Sequence, residues 1–291
     1  MSPRPLAPAF LSLAFVLFLF FAAPTSAAEL RRDIEYGRAS NTALLLDASI
    51  PDGPGPYPIA ILIHGGGWDS GDKSGSNVPG NGADITPWFA PLTEAKFTWF
   101  SINYRPSTLQ PWPACLEDVQ TAIRWVKAHA RDFKGDPRRI ALFGHSAGGH
   151  LACHAALVAD DTTRVQAVVG FAPVTDLEQD TKNRGGLSTS LQRLFGQPKE
   201  PNATSLPILR AASPINHISR AAPPFLLIHG DADKTVAFSM TAAFLAKLKA
   251  TGIRADLIVI PHAPHSLLAW EKIDVSYKPA MIAWLRQTLA P

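Results

Sequence analysis

The chain has 291 residues, of which 46% are hydrophobic and 18% are charged, and its formal net charge at pH 7 is +3. This length and composition fit one sizeable globular domain and exclude a largely disordered chain. The 27 lysine and arginine residues are scattered along the chain, so nothing in the sequence supports nucleic-acid binding.

The N-terminal segment has the organisation of a secretory signal peptide. A charged start precedes an apolar stretch over residues 10–23, and small residues offer a cleavage site before Glu29. We therefore expect a signal peptide over residues 1–28, a mature domain over residues 29–291, and a secreted or periplasmic protein without stable membrane association after cleavage. The apolar run lengthens when it is counted from Leu6, so an uncleaved membrane anchor is the alternative.

Beyond the signal segment, short apolar runs alternate with helical patterns. Residues 34–48 predict an antiparallel strand pair, and a turn over residues 51–56 leads into a buried strand that begins at Ile59. Further strands are predicted over residues 97–104, 139–143, 165–171, 224–229 and 256–260. Helices are predicted over residues 86–95, 114–132, 147–158, 238–250 and 274–289. The alternation predicts an α/β fold with a mainly parallel central sheet flanked by helices.

Two segments interrupt the alternation. Residues 74–85 are rich in Gly, Ser and Asn, and we expect them to lie over the entrance of a site. Residues 173–222 separate two predicted strands and have room for two or three short helices. Segments of this kind on a rigid scaffold commonly determine which substrate is accepted.

Residues 144–149, Gly-His-Ser-Ala-Gly-Gly, contain a candidate nucleophile. They lie between the buried run over residues 139–143 and a small-residue run that begins at Ala147. Ser146 is therefore predicted on the sharp strand-to-helix turn called a nucleophile elbow, which presents its hydroxyl free of neighbours. The Gly-x-Ser-x-Gly pattern alone is weak because Gly and Ser are common, so the prediction depends on this context.

Polar residues follow three other predicted strands. The sequence His-Gly-Gly-Gly-Trp, residues 64–68, ends one strand, and a glycine cluster there lets backbone N–H groups turn toward a developing oxyanion. Downstream, Asp231 and Asp233 follow one strand, and His262 and His265 follow the next. The order Ser, Asp, His is that of the α/β-hydrolases and differs from the trypsin and subtilisin orders.

These motifs together resemble a known family. The resemblance is carried by His64–Trp68, Gly71–Lys73, Asn103–Arg105, Pro113–Ala114, Leu116–Asp118, Gly144–Gly149 and His229–Asp233. They are similar to those of bacterial α/β-hydrolase esterases, namely the feruloyl and acetylxylan (BD-FAE-like) esterase domains and the carboxylesterases related to hormone-sensitive lipase. The resemblance covers most of the chain after about residue 50. It implies the α/β-hydrolase fold, a short helical cap over residues 173–222, and a serine esterase.

The chemistry of ester hydrolysis assigns a role to each candidate residue. Ser146 would attack the ester carbonyl, His265 would take its proton and return it to the leaving alcohol, and Asp233 would hold the imidazole tautomer. The oxyanion would be received by three backbone N–H groups, those of Gly66, Gly67 and Ala147.

The acid and the base each have an alternative. The resemblance places the acid three residues before a valine, as Asp233 is, while Asp231 and the more distant Asp176 remain open. His262 competes with His265, because the family usually shows Gly-x-Gly-His and this chain has His-Ala-Pro-His.

Other chemically versatile residues have less specific predictions. Trp68 and Trp88 are candidates to line the substrate pocket, although tryptophan is as often part of a core. His150 and His154 have a spacing that can hold zinc, but the glutamate that the zincin pattern requires is missing, so we expect helix packing. We expect no metal and no organic cofactor.

The two cysteines, Cys115 and Cys153, have no catalytic context. Export would allow a disulfide between them to persist, and two buried free thiols are the favoured alternative.

The sequence therefore predicts a carboxylic-ester hydrolase that acts through an acyl-enzyme on a small-molecule or polysaccharide-linked ester. By resemblance, acetyl or feruloyl groups of plant polysaccharide are the expected substrates, an inference that fold-level analogy supports only weakly. One alternative is a serine peptidase of the prolyl oligopeptidase type, for which the segment before the first core strand is too short to hold a propeller. Another is a catalytically silent binding domain on the same fold, which would lack the serine or the histidine.

Overall fold

An eight-stranded sheet organises the chain in the computed structural model, which describes Met1 and residues 28–39, 41–75 and 84–291. The predicted signal peptide lies almost entirely outside the described residues, as does most of the predicted entrance segment over residues 74–85. Within the described ranges, no helix has both the length and the apolar character needed to cross a membrane.

The strands follow the predicted alternation. They are β1 (Glu29–Ala39), β2 (Thr42–Ile50), β3 (Tyr57–Ile63), β4 (Thr98–Ile102), β5 (Gly135–His145), β6 (Ala167–Phe171), β7 (Phe225–Gly230) and β8 (Ala255–Ile260). Their order in the sheet is β1-β2-β4-β3-β5-β6-β7-β8. Pairing is antiparallel from β1 to β2 and from β2 to β4, and parallel across the remaining strands. The predicted mainly parallel sheet is confirmed.

The described part of the chain has nine α-helices, of which the last two follow β8. They are α1 (Phe89–Glu94), α2 (Ala114–His129), α3 (Ala147–Leu157), α4 (Leu177–Arg184), α5 (Thr189–Phe195), α6 (Ser205–Ala212), α7 (Phe238–Ala250), α8 (Leu267–Trp270) and α9 (Tyr277–Thr288). The five predicted helices are present with shifted ends, and the first begins as a 3₁₀ turn over Thr86–Trp88. The sequence did not predict α8, because four residues are too few to display a helical period.

The insertion between β6 and β7 contains the three short helices α4 to α6, as predicted. Local chemistry determines where two of them begin and end. The side chains of Asp176 and Ser188 accept hydrogen bonds from backbone N–H groups in the first turns of α4 and α5. Gly185 and Gly196 end these helices in the left-handed conformation, at φ values of 67° and 62°.

Apolar residues fill both faces of the sheet. Along β3, Ile59, Ile61 and Ile63 belong to one buried cluster, while Ala60 and Leu62 belong to a second. Because successive side chains of a strand point to opposite faces, the two clusters are the cores on either side of the sheet. A strand buried on both faces must be apolar throughout, which explains why β3 reads as a continuous hydrophobic run.

Both cysteines are buried free thiols. Burial raises the pKa of Cys115 to about 12 and raises that of Cys153 further, because the interior disfavours the thiolate. Neither thiol is suited to act as a nucleophile.

Two glycines allow helix α3 to begin directly against the sheet. A Cβ atom on Gly148 would come closer than 3.0 Å to the carbonyl oxygens of Ile63 and His64, at the end of β3. A Cβ atom on Gly144 would clash in the same way with the backbone of Gly148. The two glycines of the Gly-x-Ser-x-Gly motif are therefore required by backbone contact.

Substitution of Gly148 tests this contact. We expect Gly148→Ala to lower the free energy of unfolding by about 3 kcal/mol, the upper end of the usual cost of overpacking, because backbone carbonyls cannot move aside. Gly252→Ala is the control, since Gly252 has a φ of 84° and no atom near the position of an added Cβ. It should lose only about 1 kcal/mol. Urea denaturation of both variants measures the difference, and equal losses would contradict this account.

Candidate active site

Ser146 lies on the turn from β5 to α3 with a strained backbone. Its φ of 56° and ψ of −119° are rarely adopted by residues other than glycine, and its side chain is half-buried. The turn is held because the Ser146 N–H donates to the carbonyl oxygen of Phe171 at 2.9 Å, while the Ser146 carbonyl accepts from the N–H of His150. The nucleophile elbow predicted from the sequence is present.

Asp233 and His265 form a hydrogen-bonded pair. The Nδ1 atom of His265 lies 2.6 Å from Oδ2 of Asp233, in a region where the Asp233 side chain is fully buried. An ionised carboxylate only accepts hydrogen bonds, so Nδ1 of His265 carries a proton, and in the neutral imidazole the lone pair is then on Nε2. This tautomer is the one that a general base requires.

His229 supplies a second hydrogen bond to the same carboxylate. Its Nε2 atom lies 3.2 Å from Oδ2 of Asp233, and its Nδ1 atom lies 2.8 Å from Oγ1 of Thr241. The other carboxylate oxygen accepts from the backbone N–H groups of Thr235 and Val236 at 2.7 and 2.9 Å. Burial raises the pKa of Asp233, but the hydrogen bonds from His229 and His265 outweigh it and hold the pKa well below its usual value.

Hydrogen bonds and ring stacking hold the glycine loop, which is formed by residues 64–68 after β3. The Tyr104 hydroxyl lies 3.1 Å from the carbonyl oxygen of His64 and 3.2 Å from that of Gly65, and Nδ1 of His64 donates to the Gly65 carbonyl at 2.8 Å. The rings of His64 and Tyr104 stack with centroids 4.4 Å apart. His64 and Tyr104 therefore brace the glycine loop.

This arrangement orients two backbone N–H groups. In a trans peptide the N–H points opposite to the preceding C=O, so the fixed Gly65 carbonyl directs the Gly66 N–H the other way. The Gly66 carbonyl accepts from Asp69 and Ser70, which directs the Gly67 N–H outward in the same manner. Among the described residues, neither N–H has a hydrogen-bond acceptor. Ala147 is the first residue of α3, so its N–H has no partner within the helix.

A cavity of about 770 Å³ brings these groups together. It is lined by Ser146, His265, Gly66, Gly67 and the wall residue Trp68. Much of the remaining lining is polar and consists of His145, Asp180, Arg184, Ser188, Ser190, Lys234, Thr235 and Ser266. A hydroxyl, an imidazole with a free nitrogen and unpaired N–H donors thus share one concave surface, the arrangement that acyl transfer requires.

The prediction that Trp88 lines the pocket is wrong. Trp88 is fully buried in the second core, with its ring centroid 4.7 Å from that of Phe171 and 5.9 Å from that of Phe143. It belongs to the 3₁₀ turn before α1, which packs on the sheet face opposite Ile61 and not at the cavity. A large apolar side chain is favoured in either location, which is why the sequence left both open.

Trp68 is held in the cavity wall by a buried histidine. Its indole N–H donates to Nδ1 of His150 at 3.1 Å, and Nε2 of His150 donates to the carbonyl oxygen of Ala212 at 2.8 Å. These contacts stabilise the positive φ of 61° at Trp68. His154, one turn along α3, is also buried, with its ring 4.7 Å from that of His217. The described residues contain no group of three possible metal ligands, and these histidines pack α3 as expected.

The helical cap contacts the glycine loop directly. Oδ2 of Asp69 lies 2.8 Å from Nη1 of Arg193 and 3.3 Å from the hydroxyl of Ser190, both in α5. A Cβ atom on Gly67 would lie 2.7 Å from that same hydroxyl. The loop that presents the N–H donors is therefore packed against the segment that covers the cavity.

The competing candidates lie elsewhere. Oδ1 of Asp231 accepts from the backbone N–H of His262 at 2.6 Å, so this carboxylate organises the loop. Asp176 caps α4. The structure therefore pairs Asp233 with His265.

Sequence reasoning did not find the part played by His229, although the residue belongs to the quoted His-Gly-Asp motif. The available signal was a polar residue at the end of a fully buried strand, four positions before the predicted acid. A buried polar side chain needs a partner, and Asp233 was one of the two carboxylates within the next four positions. The contact of Asp69 with Arg193 spans 124 positions and left no local signal.

Comparisons with known proteins agree with this geometry. The BD-FAE family model matches residues 46–248. Over 245 residues the chain is 35% identical to the probable carboxylic ester hydrolase LipM of Mycobacterium tuberculosis, in an alignment that covers 79% of this chain and 54% of that protein. The chain spans 54–59% of the length of the first three curated relatives that it matches.

Two solved structures have the same fold. The bifunctional GH43-CE protein of Bacteroides eggerthii is 26% identical with a TM-score of 0.75, over 89% of this chain and 38% of that chain. The apo form of Thermogutta terrifontis esterase 2 is 26% identical with a TM-score of 0.69, over 94% of this chain and all of that chain. The predicted α/β-hydrolase fold is confirmed.

The buried histidines of α3 predict an acid-sensitive fold. Burial lowers the pKa of His150 to about 4 and that of His154 to about 3, whereas both take up protons near pH 6.5 in an unfolded chain. Stability is therefore full above pH 6.5 and decreases as the pH falls toward 4, because only the unfolded state binds these protons. The slope is about 1.4 kcal/mol per pH unit for each histidine.

Urea denaturation of the wild type and His154→Phe between pH 8 and 4.5 measures this slope. The phenylalanine variant keeps an aromatic ring among the neighbouring rings and removes one titrating group. It should lose less stability than the wild type on acidification. A slope equal to that of the wild type would show that His154 does not contribute.

Proposed function

The chain belongs to the BD-FAE family, and from this membership and the geometry of the cavity we propose that it hydrolyses carboxylic esters through an acyl-enzyme on Ser146. One observation carries the proposal. His265, whose Nδ1 donates to the buried Asp233, lines the cavity that also holds Ser146 and the unpaired N–H groups of the glycine loop. A binding domain has no need of this combination.

The acylation step uses each of these groups. As Oγ of Ser146 forms a bond to the ester carbonyl carbon, its proton moves to Nε2 of His265. Asp233 stabilises the imidazolium that results, and its four hydrogen bonds keep it ionised. The negative charge on the former carbonyl oxygen is received by three N–H groups, those of Gly66, Gly67 and Ala147.

Acylation ends when the alcohol leaves, and deacylation then repeats the same steps with water. The tetrahedral adduct collapses, the bond from carbon to the alcohol oxygen breaks, and the alcohol leaves with the proton from His265. Water then attacks the acyl-enzyme and gives one proton to His265, which returns it to Ser146 as the carboxylic acid departs. The atoms and protons balance without a metal or an organic cofactor.

Replacement of the nucleophile is the direct test. We expect Ser146→Ala to reduce kcat on p-nitrophenyl acetate by about 10⁵- to 10⁶-fold, because no oxygen remains to form the acyl-enzyme. Ser266→Ala, which removes another hydroxyl from the same cavity, is the matched control and should keep wild-type activity. A phosphonate inhibitor should label the wild type on the peptide that contains Ser146 and should leave Ser146→Ala unlabelled.

Two results would reject the proposal. One is a folded wild type that cleaves a peptide p-nitroanilide and leaves p-nitrophenyl esters intact. The other is a folded Ser146→Ala variant that keeps a tenth or more of the wild-type rate.

We further propose that the alcohol side of the substrate is a carbohydrate and that the acyl group is acetyl or feruloyl. The support is the polar lining of the cavity, in which the hydroxyls of Ser188 and Ser190 and the charges of Arg184 and Lys234 suit a hydrated alcohol. The name of the Bacteroides eggerthii relative is consistent with this class. The signal-like N-terminal segment supports a protein exported to meet such a polymer.

A substrate panel tests this class. We expect kcat/KM to be at least about tenfold higher for p-nitrophenyl acetate than for the octanoate, because a long alkyl chain would desolvate the charged groups of Arg184 and Lys234 in the lining. The wild type should release acetate from acetylated xylan or ferulate from methyl ferulate, and Ser146→Ala should release neither. Preference for the octanoate, with no release from either natural type of ester, would contradict the assignment and leave ester hydrolysis itself standing.

A further inference from the structure

His145, the residue before Ser146, is completely buried at the bottom of the cavity. Its Nε2 atom lies 2.9 Å from the backbone carbonyl oxygen of His265, 120 positions away in the chain. Its Nδ1 atom is buried and has no hydrogen-bond partner among the described residues. Its ring lies against that of His265, with centroids 4.6 Å apart.

These contacts determine the protonation of the His145 ring. A carbonyl oxygen can only accept a hydrogen bond, so Nε2 of His145 carries the proton and donates it to the His265 carbonyl. Burial lowers the pKa of His145 well below its usual value, and the neighbouring His265 lowers it further, so the ring stays neutral. His145 is therefore a single-donor group.

His145 cannot replace His265 as the base. Its unprotonated nitrogen, Nδ1, faces Gly65, where an added Cβ would lie 3.1 Å from Nδ1 and 3.3 Å from Cβ of Ser146. The space between the glycine loop and the elbow is thus filled by backbone and by the His145 ring. No substrate atom has room to reach Nδ1.

Among the described residues, four hydrogen bonds tie the backbone of the loop over residues 261–265, which carries His265, to elements other than β8. The N–H of His262 donates to Asp231 at 2.6 Å, and the Ala263 carbonyl accepts from the N–H of Ala232 at 3.2 Å. The other two hydrogen bonds are accepted by backbone carbonyl oxygens. The Pro264 carbonyl accepts from the indole N–H of Trp270 at 2.6 Å, and the His265 carbonyl accepts from Nε2 of His145.

The hydrogen bond from His145 joins the loop to a different part of the sheet than the other three do. Asp231 and Ala232 follow β7, the neighbour of β8 in the sheet, and Trp270 lies in α8, the next helix after the loop. The first three hydrogen bonds therefore join the loop to adjacent elements. His145 is the last residue of β5, and the next residue is Ser146. Of the four hydrogen bonds, the one from His145 therefore connects the loop of His265 directly to β5, the strand that ends beside the nucleophile.

We propose that His145 is a positioning residue that aligns Nε2 of His265 with Oγ of Ser146 by holding the His265 carbonyl through its Nε2–H group. This inference rests on the proposed ester hydrolysis. It concerns the chemical step and not the binding of substrate, since His145 donates to protein backbone in the free enzyme.

Substitutions that keep or remove the donor test the inference. His145→Gln retains an N–H donor on a long side chain, whereas His145→Leu retains the apolar volume and removes the donor. With p-nitrophenyl acetate, we expect His145→Leu to lower kcat by about 10- to 100-fold with KM within twofold of the wild type, since a small misplacement of catalytic groups has this effect. His145→Gln should recover most of that loss.

Two further measurements separate positioning from general damage. The rate at which a phosphonate inhibitor labels Ser146 should fall in parallel with kcat, because that reaction needs the same base. His154→Phe, in the neighbouring helix, is the matched control for disturbing a buried histidine, and its kcat should stay at the wild-type value. Thermal unfolding establishes that each variant is folded, and if His145→Leu is not, His145→Met, which also lacks a donor, takes its place against His145→Gln.

The possible outcomes are distinct. A low kcat in the donor-free variant with recovery in His145→Gln supports the proposal. It is overturned if the folded donor-free variant keeps kcat within twofold of the wild type, if both variants lose the same amount, or if the loss lies in KM. An inactive wild type would refute ester hydrolysis and this inference with it, whereas an active wild type, an inactive Ser146→Ala and an active His145→Leu would refute the inference alone.

Discussion

The contact between the first turn of α3 and the end of β3 determines the geometry of the whole site. Gly148 lies so close to the carbonyls of Ile63 and His64 that no side chain fits between them. The chain must therefore turn sharply between β5 and α3, and Ser146 occupies the strained corner at a φ of 56°. The surrounding backbone hydrogen bonds and the packed sheet supply the free energy that keeps this conformation. Once α3 is seated in this way, Ser146 and the glycine loop line the same cavity.

Around this corner, buried polar groups are arranged so that each histidine has one tautomer. His229, His265 and His145 each donate one proton to a carboxylate or a carbonyl, and their remaining nitrogens accept or stay free. In a low-dielectric interior such bonds are strong, and an unpaired buried group is costly, so the network excludes alternative arrangements. Because Asp233 can only accept, it fixes the proton of the neutral His265 ring on Nδ1 and leaves the lone pair on Nε2.

Much of the fold and of the site could be predicted from local sequence. Continuous apolar runs identified the parallel strands, and the ends of those strands identified Ser146, Asp233 and His265 in an order that fits one class of enzyme. The location of Trp88 could not be predicted, because a core and a pocket both favour a large apolar ring. Helix α8 was too short to show a period, and the hydrogen bond from His145 depends on a contact with a residue 120 positions away. Residue spacing carries information about one element at a time, and these features belong to pairs of elements.

The contact between the cap and the glycine loop links substrate recognition to catalysis. Asp69 follows Trp68 at the end of the loop, and its carboxylate meets Arg193 and Ser190 of α5. Trp68 is in turn fixed through His150 to the end of α6, since His150 donates to Ala212. A change in the cap therefore reaches the N–H donors at Gly66 and Gly67 through two independent routes, one polar and exposed, the other aromatic and buried. Sequence changes in α5 must therefore also preserve the loop, because Ser190 of α5 lines the cavity and packs against Gly67, whose N–H is proposed to receive the oxyanion.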